Sequence, residues 1–398
     1  MFFDQVREGA PDPVFGLLGT YQADTRPMKM SLMVGIYRDE QLKSELIQAV
    51  WKGEERITAS DRRADYLPFD GVAKFGELIG GLVFGDRLWG ECRDRIYAAQ
   101  AVGGTGALRL GAEFLVQEVG KRVWIPDPTW PNHRGVFERS GMKVETLEYY
   151  NSEIHRFDAQ RYMEGLSRLA PNSIVLFHAV CHNPTGSDPT LKDWEAISDL
   201  CRERKLVPFF DCAYQGFGSG IEEDTAAIRL FLERGHEFLV AYSCSKNFSL
   251  YSQRVGALFV VSKNSDVKQC VGSQIKRIIR TLYSNPPSYG AGVVAEVLGD
   301  PKLRREWMSE LEQMRQRIVK AREMLVDRLI AKSGRVDFRF VRNHRGMFSY
   351  LDLSKEQVLR LIDQYAIYTL DHGRINVAGL TDKNIDYFVD GVIAVCES

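Results

Sequence analysis

An α/β fold is predicted for this chain: a large, mixed or mostly parallel sheet covered by helices, with a smaller α+β unit beside it. Three observations carry the prediction. Short β-branched or aromatic runs at 123–126, 173–177, 206–210, 238–242 and 257–261 alternate with amphipathic stretches, as buried strands and their covering helices do. From about Arg304 the spacing changes to three and four, through Trp307, Leu311, Met314, Ile318, Ala321, Leu325 and Leu329, which predicts one long helix. After it come short elements at 338–341 and 347–351 and a helix at 354–365, enough for a second unit.

The elements follow from local chemistry. Each of the five runs has strand length and is bounded by polar or turn residues. The long helix is expected to stop at Gly334, a residue suited to the left-handed position after a helix. Its apolar stripe is expected to pack on its own chain, with a coiled-coil seam as the lesser alternative. No repeat or glycine/serine linker separates the units, so they should pack closely. The expected division is 45–310 for the large unit and 1–44 with 311–398 for an N-terminal arm and small unit.

Composition narrows the function classes. The 398 residues carry 52 Lys+Arg against 53 Asp+Glu, which disfavours a nucleic-acid or anionic-membrane surface and suits a small metabolite. A hydrophobic fraction of 44% is ample for a folded core. The seven cysteines are scattered, without a C-x-x-C pair, so free thiols are expected and neither a disulfide framework nor a metal site. No run reaches the roughly 18 apolar residues of a spanning helix, and the start has no apolar signal core, so a cytoplasmic protein is expected.

In open α/β sheets ligands lie at the carboxyl ends of strands, and four of those ends carry reactive groups. The run 123–126 leads into Asp-Pro-Thr-Trp-Pro-Asn-His at 127–133, and 173–177 leads to Cys-His-Asn-Pro-Thr-Gly at 181–186. The run 206–210 leads to Asp211 and Tyr214, and 238–242 to Ser-Cys-Ser-Lys at 243–246. Singly, each has an ordinary explanation as a turn, a cap, a solvated charge or a core aromatic. Their convergence at one edge of one sheet favours a site.

The stretch Val102-Gly-Gly-Thr-Gly-Ala-Leu-Arg109 adds an anion end, because helical periodicity starts after its glycines. Arg109 stands where a dinucleotide fingerprint needs its third glycine, and no Lys-Ser/Thr follows as in a P-loop. A dehydrogenase is therefore disfavoured and a compact monophosphate remains. One phosphate, an aromatic, an acid and a lysine are what pyridoxal phosphate requires. Its aldehyde needs a lysine, its ring nitrogen a carboxylate, its 3-oxygen donors and its ring a flat partner. Lys246, Asp211, Asn183 with Tyr214, and Trp130 supply these.

These residues also carry a family resemblance. From about Phe3 to Cys396 the chain is similar to class I pyridoxal-phosphate aminotransferases of the aspartate and aromatic amino-acid subgroup. The matching segments are Tyr-Leu-Pro-Phe-Asp-Gly at 66–71, Gly-Gly-Thr-Gly-Ala-Leu at 103–108, Trp-Pro-Asn-His at 130–133 and Cys-His-Asn-Pro-Thr-Gly at 181–186. Asp-Cys-Ala-Tyr-Gln-Gly-Phe at 211–217, Ser-Lys-Asn-Phe-Ser-Leu-Tyr at 245–251 and Arg-Val-Gly at 254–256 follow in the family's order. Tyr-Ser-Asn-Pro-Pro at 283–287 and Gly-Arg-Ile-Asn-Val-Ala-Gly at 373–379 complete the set.

The resemblance implies fold type I of the pyridoxal-phosphate enzymes and a homodimer with shared sites. Lys246 would form the Schiff base and move the substrate proton. Asp211, backed by His133, would pair with the ring nitrogen, Trp130 would stack on the ring, and Asn183 and Tyr214 would bond the 3-oxygen. Gly104, Thr105, Ser243 and Arg254 would hold the phosphate, with Tyr66 reaching it from the other subunit. Arg374 would take the substrate α-carboxylate, and Arg280 would cross the dimer interface to grip a side-chain carboxylate. Asn183, Trp130 and Gly35 would shape the substrate pocket.

Departures from the family pattern bear on specificity. Asp371 and His372 precede Gly-Arg where relatives usually carry small residues, and Met33 stands where they often have Gly. The implied reaction exchanges an amino group between aspartate and 2-oxoglutarate, with tyrosine and phenylalanine as further candidate donors and an aromatic-preferring enzyme as the alternative. A β-lyase or decarboxylase on the same fold and a non-catalytic regulator are weaker readings. A lyase would need no 2-oxo acid acceptor, and a regulator usually adds a DNA-binding helix pair or loses the lysine.

Overall fold

A computed structural model describes residues 2–9, 13–60, 65–334 and 336–397. Its centre is a seven-stranded sheet: β1 (Ile96–Val102), β2 (Arg122–Asp127), β3 (Lys143–Glu148), β4 (Ile174–His178), β5 (Val207–Cys212), β6 (Phe238–Ser243) and β7 (Val255–Val261). The spatial order is β1-β7-β6-β5-β4-β2-β3. The ladders β3/β2, β2/β4, β4/β5 and β5/β6 are parallel, while β7 runs antiparallel to both β6 and β1. The sheet is thus mostly parallel, and β7 brings its amino end to the edge where its neighbours end.

All five expected strands are present, within one to two residues of their expected bounds. Each central strand is buried on both faces: Phe238, Val240 and Tyr242 of β6 join one core cluster, and Leu239 and Ala241 join the other. That two-sided burial is why these strands read as unbroken apolar runs. The edge strands β1 and β3 were not among the expected runs. Ile-Tyr-Ala-Ala-Gln-Ala-Val is mostly buried but rich in alanine and carries Gln100, while Lys-Val-Glu-Thr-Leu-Glu has only Val144 and Leu147 as apolar residues, as an edge strand partly in water permits.

Helix α1 (Gly103–Glu118) follows β1 directly, so the glycines form its first turn and do not precede it. The long helix, α2 (Pro301–Lys332), starts three residues before the expected point. The Asp300 side chain caps it, accepting from Lys302 N at 2.7 Å and Leu303 N at 3.1 Å, with Pro301 just inside. Gly334 corrects the expectation at the other end. It is not left-handed; Ser333 caps the helix, and the Gly334 N–H donates to Glu397 at 2.7 Å. The apolar stripe of α2 is buried against its own chain, where Trp307 stacks on Phe248 and its Nε1–H donates to the carbonyl of Asn247 at 2.7 Å.

Short pairings organise the rest. Met30–Ser31 runs parallel to Ile367–Tyr368, so the amino-terminal segment is tied to the carboxyl-terminal part. Phe348–Ser349 pairs antiparallel with Ile375–Asn376. The expected element at 338–341 is a 3₁₀ turn, Arg339–Asn343. Helix α3 (Lys355–Tyr365) has the expected position, with Ser354 and Gln357 forming a capping box. Among the described residues no helix is long and apolar enough to cross a membrane.

Candidate active site

A cavity of about 500 Å³ opens at the carboxyl ends of the parallel strands. Its walls include Lys246, Asp211, Tyr214, Trp130, Asn183 and Arg374, and at one end Gly104, Thr105, Ser243 and Arg254. Gly35 lies on the rim from the amino-terminal segment. Residues from several strands meet because the parallel strands end at this edge, while Gly35 and Arg374 come from segments outside the sheet.

Asp211 is the penultimate residue of β5, beside His178, its register partner at the end of β4. Burial opposes a charge on Asp211, but the hydrogen bond from His133 at 3.0 Å and the nearby positive groups hold its carboxyl below the usual range. His133 is fully buried behind Asp211, outside the cavity lining. Thr129 Oγ1 lies 2.8 Å from both His133 Nδ1 and His178 Nε2. Every hydrogen in this chain is used if His178 donates to Thr129, Thr129 to His133, and His133 to Asp211. Burial brings the imidazole of His178 down to about 3, which keeps it neutral in that role.

Lys246 sits three residues past the end of β6, and burial lowers the pKa of its amine while Asp211 pulls the other way. Its Nζ lies 5.0 Å from the centroid of the Tyr214 ring. Burial pushes the Tyr214 hydroxyl up, so it stays protonated and can donate. Trp130 stands edge-on to His133 with ring centroids 5.2 Å apart.

The opposite end of the cavity is electropositive. The first turn of α1 points its free N–H groups there, and Gly104 packs so tightly on Ser243 that a Cβ would fall 2.9 Å from the serine Cβ. Gly103 has φ +69°, and a Cβ on it would meet the Arg254 guanidinium at 2.5 Å. Arg254 donates to Ser245 Oγ at 3.2 Å and to the carbonyl of Tyr251 at 3.1 Å, with no carboxylate bonded to it among the described residues. Cation, hydroxyl and helix N-terminus together suit a phosphate.

Arg374 is 4% exposed, and burial brings its guanidinium down to about 10. Its partners are neutral: Asn183 Oδ1 at 3.1 Å, the carbonyl of Met33, and the Phe348 ring 4.3 Å below. Its Nε–H has no partner among the described residues. A buried guanidinium with a spare donor and no carboxylate is ready for an anionic ligand. Gly35 is required by close approach, since a Cβ there would sit 2.5 Å from Phe348 Cζ.

Two predicted residues stand apart. Tyr66 is 92% exposed, and Arg280 is also exposed, donating to Ser284 Oγ at 2.6 Å; neither lines the cavity of its own chain. Of the departures, Met33 enters through its main-chain carbonyl, which any residue would provide. Asp371 and His372 are exposed in a 3₁₀ turn and line a separate cleft of about 440 Å³ that reaches Arg374 from its other side. Phe348, Tyr251, Ser245, Leu108 and Val180 line the main cavity without having been singled out. Leu108, Ser245 and Tyr251 lie inside matched segments; Phe348 and Val180 look like ordinary core residues.

Two anion positions with an amine on the wall of the same cavity define the class: an α/β enzyme that holds a phosphorylated group and a carboxylate ligand together. Comparison with known proteins identifies the family. The model of aminotransferase class I and II matches residues 27–392, and the chain belongs to that family. It is 42% identical to the aspartate aminotransferase of Escherichia coli K12 over 396 residues, 99% of this chain and 100% of that one. It is 41% identical to the aromatic-amino-acid aminotransferase of Pseudomonas aeruginosa, over 99% of each chain. The crystal structure of the Burkholderia pseudomallei aromatic-amino-acid aminotransferase, covalently bound to pyridoxal phosphate, superposes with a TM-score of 0.95 at 42% identity over 99% of each chain.

Proposed function

We propose that the protein is a pyridoxal-phosphate-dependent aminotransferase that moves an amino group between aspartate and 2-oxoglutarate, with tyrosine and phenylalanine as further donors. One observation carries this reading: a single cavity has on its walls the Lys246 amine, the Asp211 carboxylate and the Arg374 guanidinium, which bonds only neutral groups among the described residues. Relatives named for both aspartate and aromatic amino acids support the pair of substrate classes.

The donor set fits pyridoxal phosphate. The first turn of α1 with Thr105, Ser243 and Arg254 would hold the phosphate, Trp130 would cover a ring face, and Asn183 and Tyr214 would bond a ring oxygen. When bound, the cofactor supplies a carbon that takes the amino group and a ring that accepts carbanion charge. Asp211, kept charged by His133, would hold a proton on the ring nitrogen. Lys246 would carry the covalent link and then move the proton at the substrate Cα. Its lowered pKa leaves more neutral amine near pH 7 than an exposed lysine has. Arg374 and Asn183 would clamp the α-carboxylate and fix the Cα over that amine.

Tyr66 and Arg280 complete the site in a partner subunit, and their exposure outside their own cavity supports a homodimer. The reading includes a large unit at 45–310 and a small one at 1–44 with 311–398, supported by the pairing of Met30–Ser31 with Ile367–Tyr368. A cytoplasmic location is supported by the seven free thiols.

Lys246→Ala tests the assignment. Transamination and the borohydride-reducible attachment of the cofactor should both be lost; near-normal turnover would show that another residue carries the chemistry. Initial rates with aspartate, tyrosine and phenylalanine against 2-oxoglutarate rank the donors.

A further inference from the structure

Arg322, about two thirds of the way along α2, is a second buried arginine, 3% exposed, with no carboxylate bonded to it among the described residues. A guanidinium buried this way is costly unless its donors are used. Its Nη2 donates to the carbonyl of Gly346, and its Nε donates to Ser349 Oγ at 3.2 Å. Those two acceptors bracket Phe348, so one side chain of the long helix grips both ends of the turn at 346–349.

That turn leads to Arg374 by one route and to Asn183 by another. Phe348–Ser349 pairs with Ile375–Asn376, the strand that begins right after Arg374, and Val377 N donates to the carbonyl of Met347 at 2.8 Å. The Phe348 ring then supports the Arg374 guanidinium from 4.3 Å. On the other side, Gly346 fits against Cys181, where a Cβ would come within 2.4 Å of the cysteine Cβ. Arg345 N donates to the carbonyl of Gly186 at 2.7 Å, and a Cβ on Gly186 would lie 2.4 Å from the carbonyl of Phe348. The loop between Cys181 and Gly186 carries Asn183, which accepts from Arg374 at 3.1 Å.

We propose that Arg322 is a positioning residue that sets the spacing of Arg374 and Asn183 and thereby the affinity of the site for the substrate α-carboxylate. The inference rests on the reading of Arg374 as the carboxylate-binding group. Arg322 touches neither substrate nor cofactor. It acts through the Gly346–Ser349 turn, and its charge keeps two neutral acceptors fixed.

The test uses the cofactor-loaded enzyme and two unreactive or poorly reactive probes: maleate, which has carboxylates but no amine, and 2-phenylethylamine, which has an amine but no carboxylate. Arg322→Met should weaken maleate binding about ten-fold, the loss expected for one charge-assisted hydrogen bond, and raise KM for aspartate more than it lowers kcat. Binding of 2-phenylethylamine should hold. Arg322→Lys, which keeps a donor for Gly346, should recover most of the maleate affinity. Ser349→Ala, a milder change, should move maleate in the same direction if Arg322→Met does not fold. Equal losses for both probes, or no loss for maleate, would overturn the inference. Arg374→Gln separates the two readings: unchanged maleate affinity there would sink the carboxylate assignment itself, whereas a loss there but none in Arg322→Met would sink only the role of Arg322.

Discussion

Buried histidines give the protein an acid limit that can be predicted one residue at a time. Burial brings His178 and His344 down to about 3 and His236 to about 4, and it lowers His182 well below the ordinary value. In the unfolded chain each titrates near 6.5. Below that pH the unfolded state binds more protons than the native one, so stability falls as pH drops from about 6.5 toward 4, by up to about 1.4 kcal/mol per pH unit for a fully buried histidine. Asp188, raised by burial to about 6, works in the opposite sense over part of that range. His236 lies away from the cavity, bonded to Ser198 Oγ at 2.8 Å, so His236→Gln isolates one contribution. Its Tm should fall less steeply than the parent's between pH 6.5 and 4.5, and parallel curves would show that His236 titrates normally. The residues that bear polar chemistry were legible because they sit in short segments at strand ends, as Lys246 and Asp211 do. Phe348 and Arg322 were not legible. Each matters through a contact with residues distant in sequence, and an apolar or charged residue at helical or strand spacing carries no local sign of such a contact.

Elements were legible to the degree that burial marked them. Strands β4 to β7 are covered on both faces and stand out, while β1 and β3 at the edges do not: β1 is mostly buried but alanine-rich with a glutamine in it, and β3, partly in water, has only Val144 and Leu147 apolar. At the junction between β1 and α1 the periodicity predicts a helix that starts after the glycines; the glycines are instead its first turn, with no loop between strand and helix. That economy places the first N–H groups of α1 against Ser243 of β6, and only glycine at 104 permits it. Gly104→Ala should push α1 away from β6, because a Cβ–Cβ distance of 2.9 Å is shorter than side chains tolerate. The expected result is a weaker hold on the phosphate, with the dissociation constant of pyridoxal phosphate raised about ten-fold, as for one lost charge-assisted bond. Absorbance titration of the apoenzyme measures it. An unchanged constant would mean that Arg254 and Ser243 hold the phosphate without the helix.

At the scale of the whole molecule, the cavity of one chain lacks two of the groups proposed for it. Tyr66 and Arg280 are both exposed and neither lines the cavity of its own chain. In the symmetric dimer proposed above, each chain would lend the pair to its partner's cavity. The arrangement makes a prediction that a self-sufficient chain could not satisfy. Lys246→Ala inactivates the cavity of its own chain but still presents an intact Arg280, whereas Arg280→Ala keeps Lys246 and deprives the partner of the side-chain grip. When both variants are unfolded and refolded together, each mixed dimer holds one doubly defective cavity and one with both groups intact. Followed as the single amino-donor half-reaction by cofactor absorbance, without a 2-oxo acid, turnover of aspartate should therefore rise above that of either variant refolded alone, while turnover of phenylalanine, which has no side-chain carboxylate, should show little such gain. If aspartate turnover in the mixture only averages the two parents, Arg280 serves its own chain or no substrate at all, and the shared site is wrong.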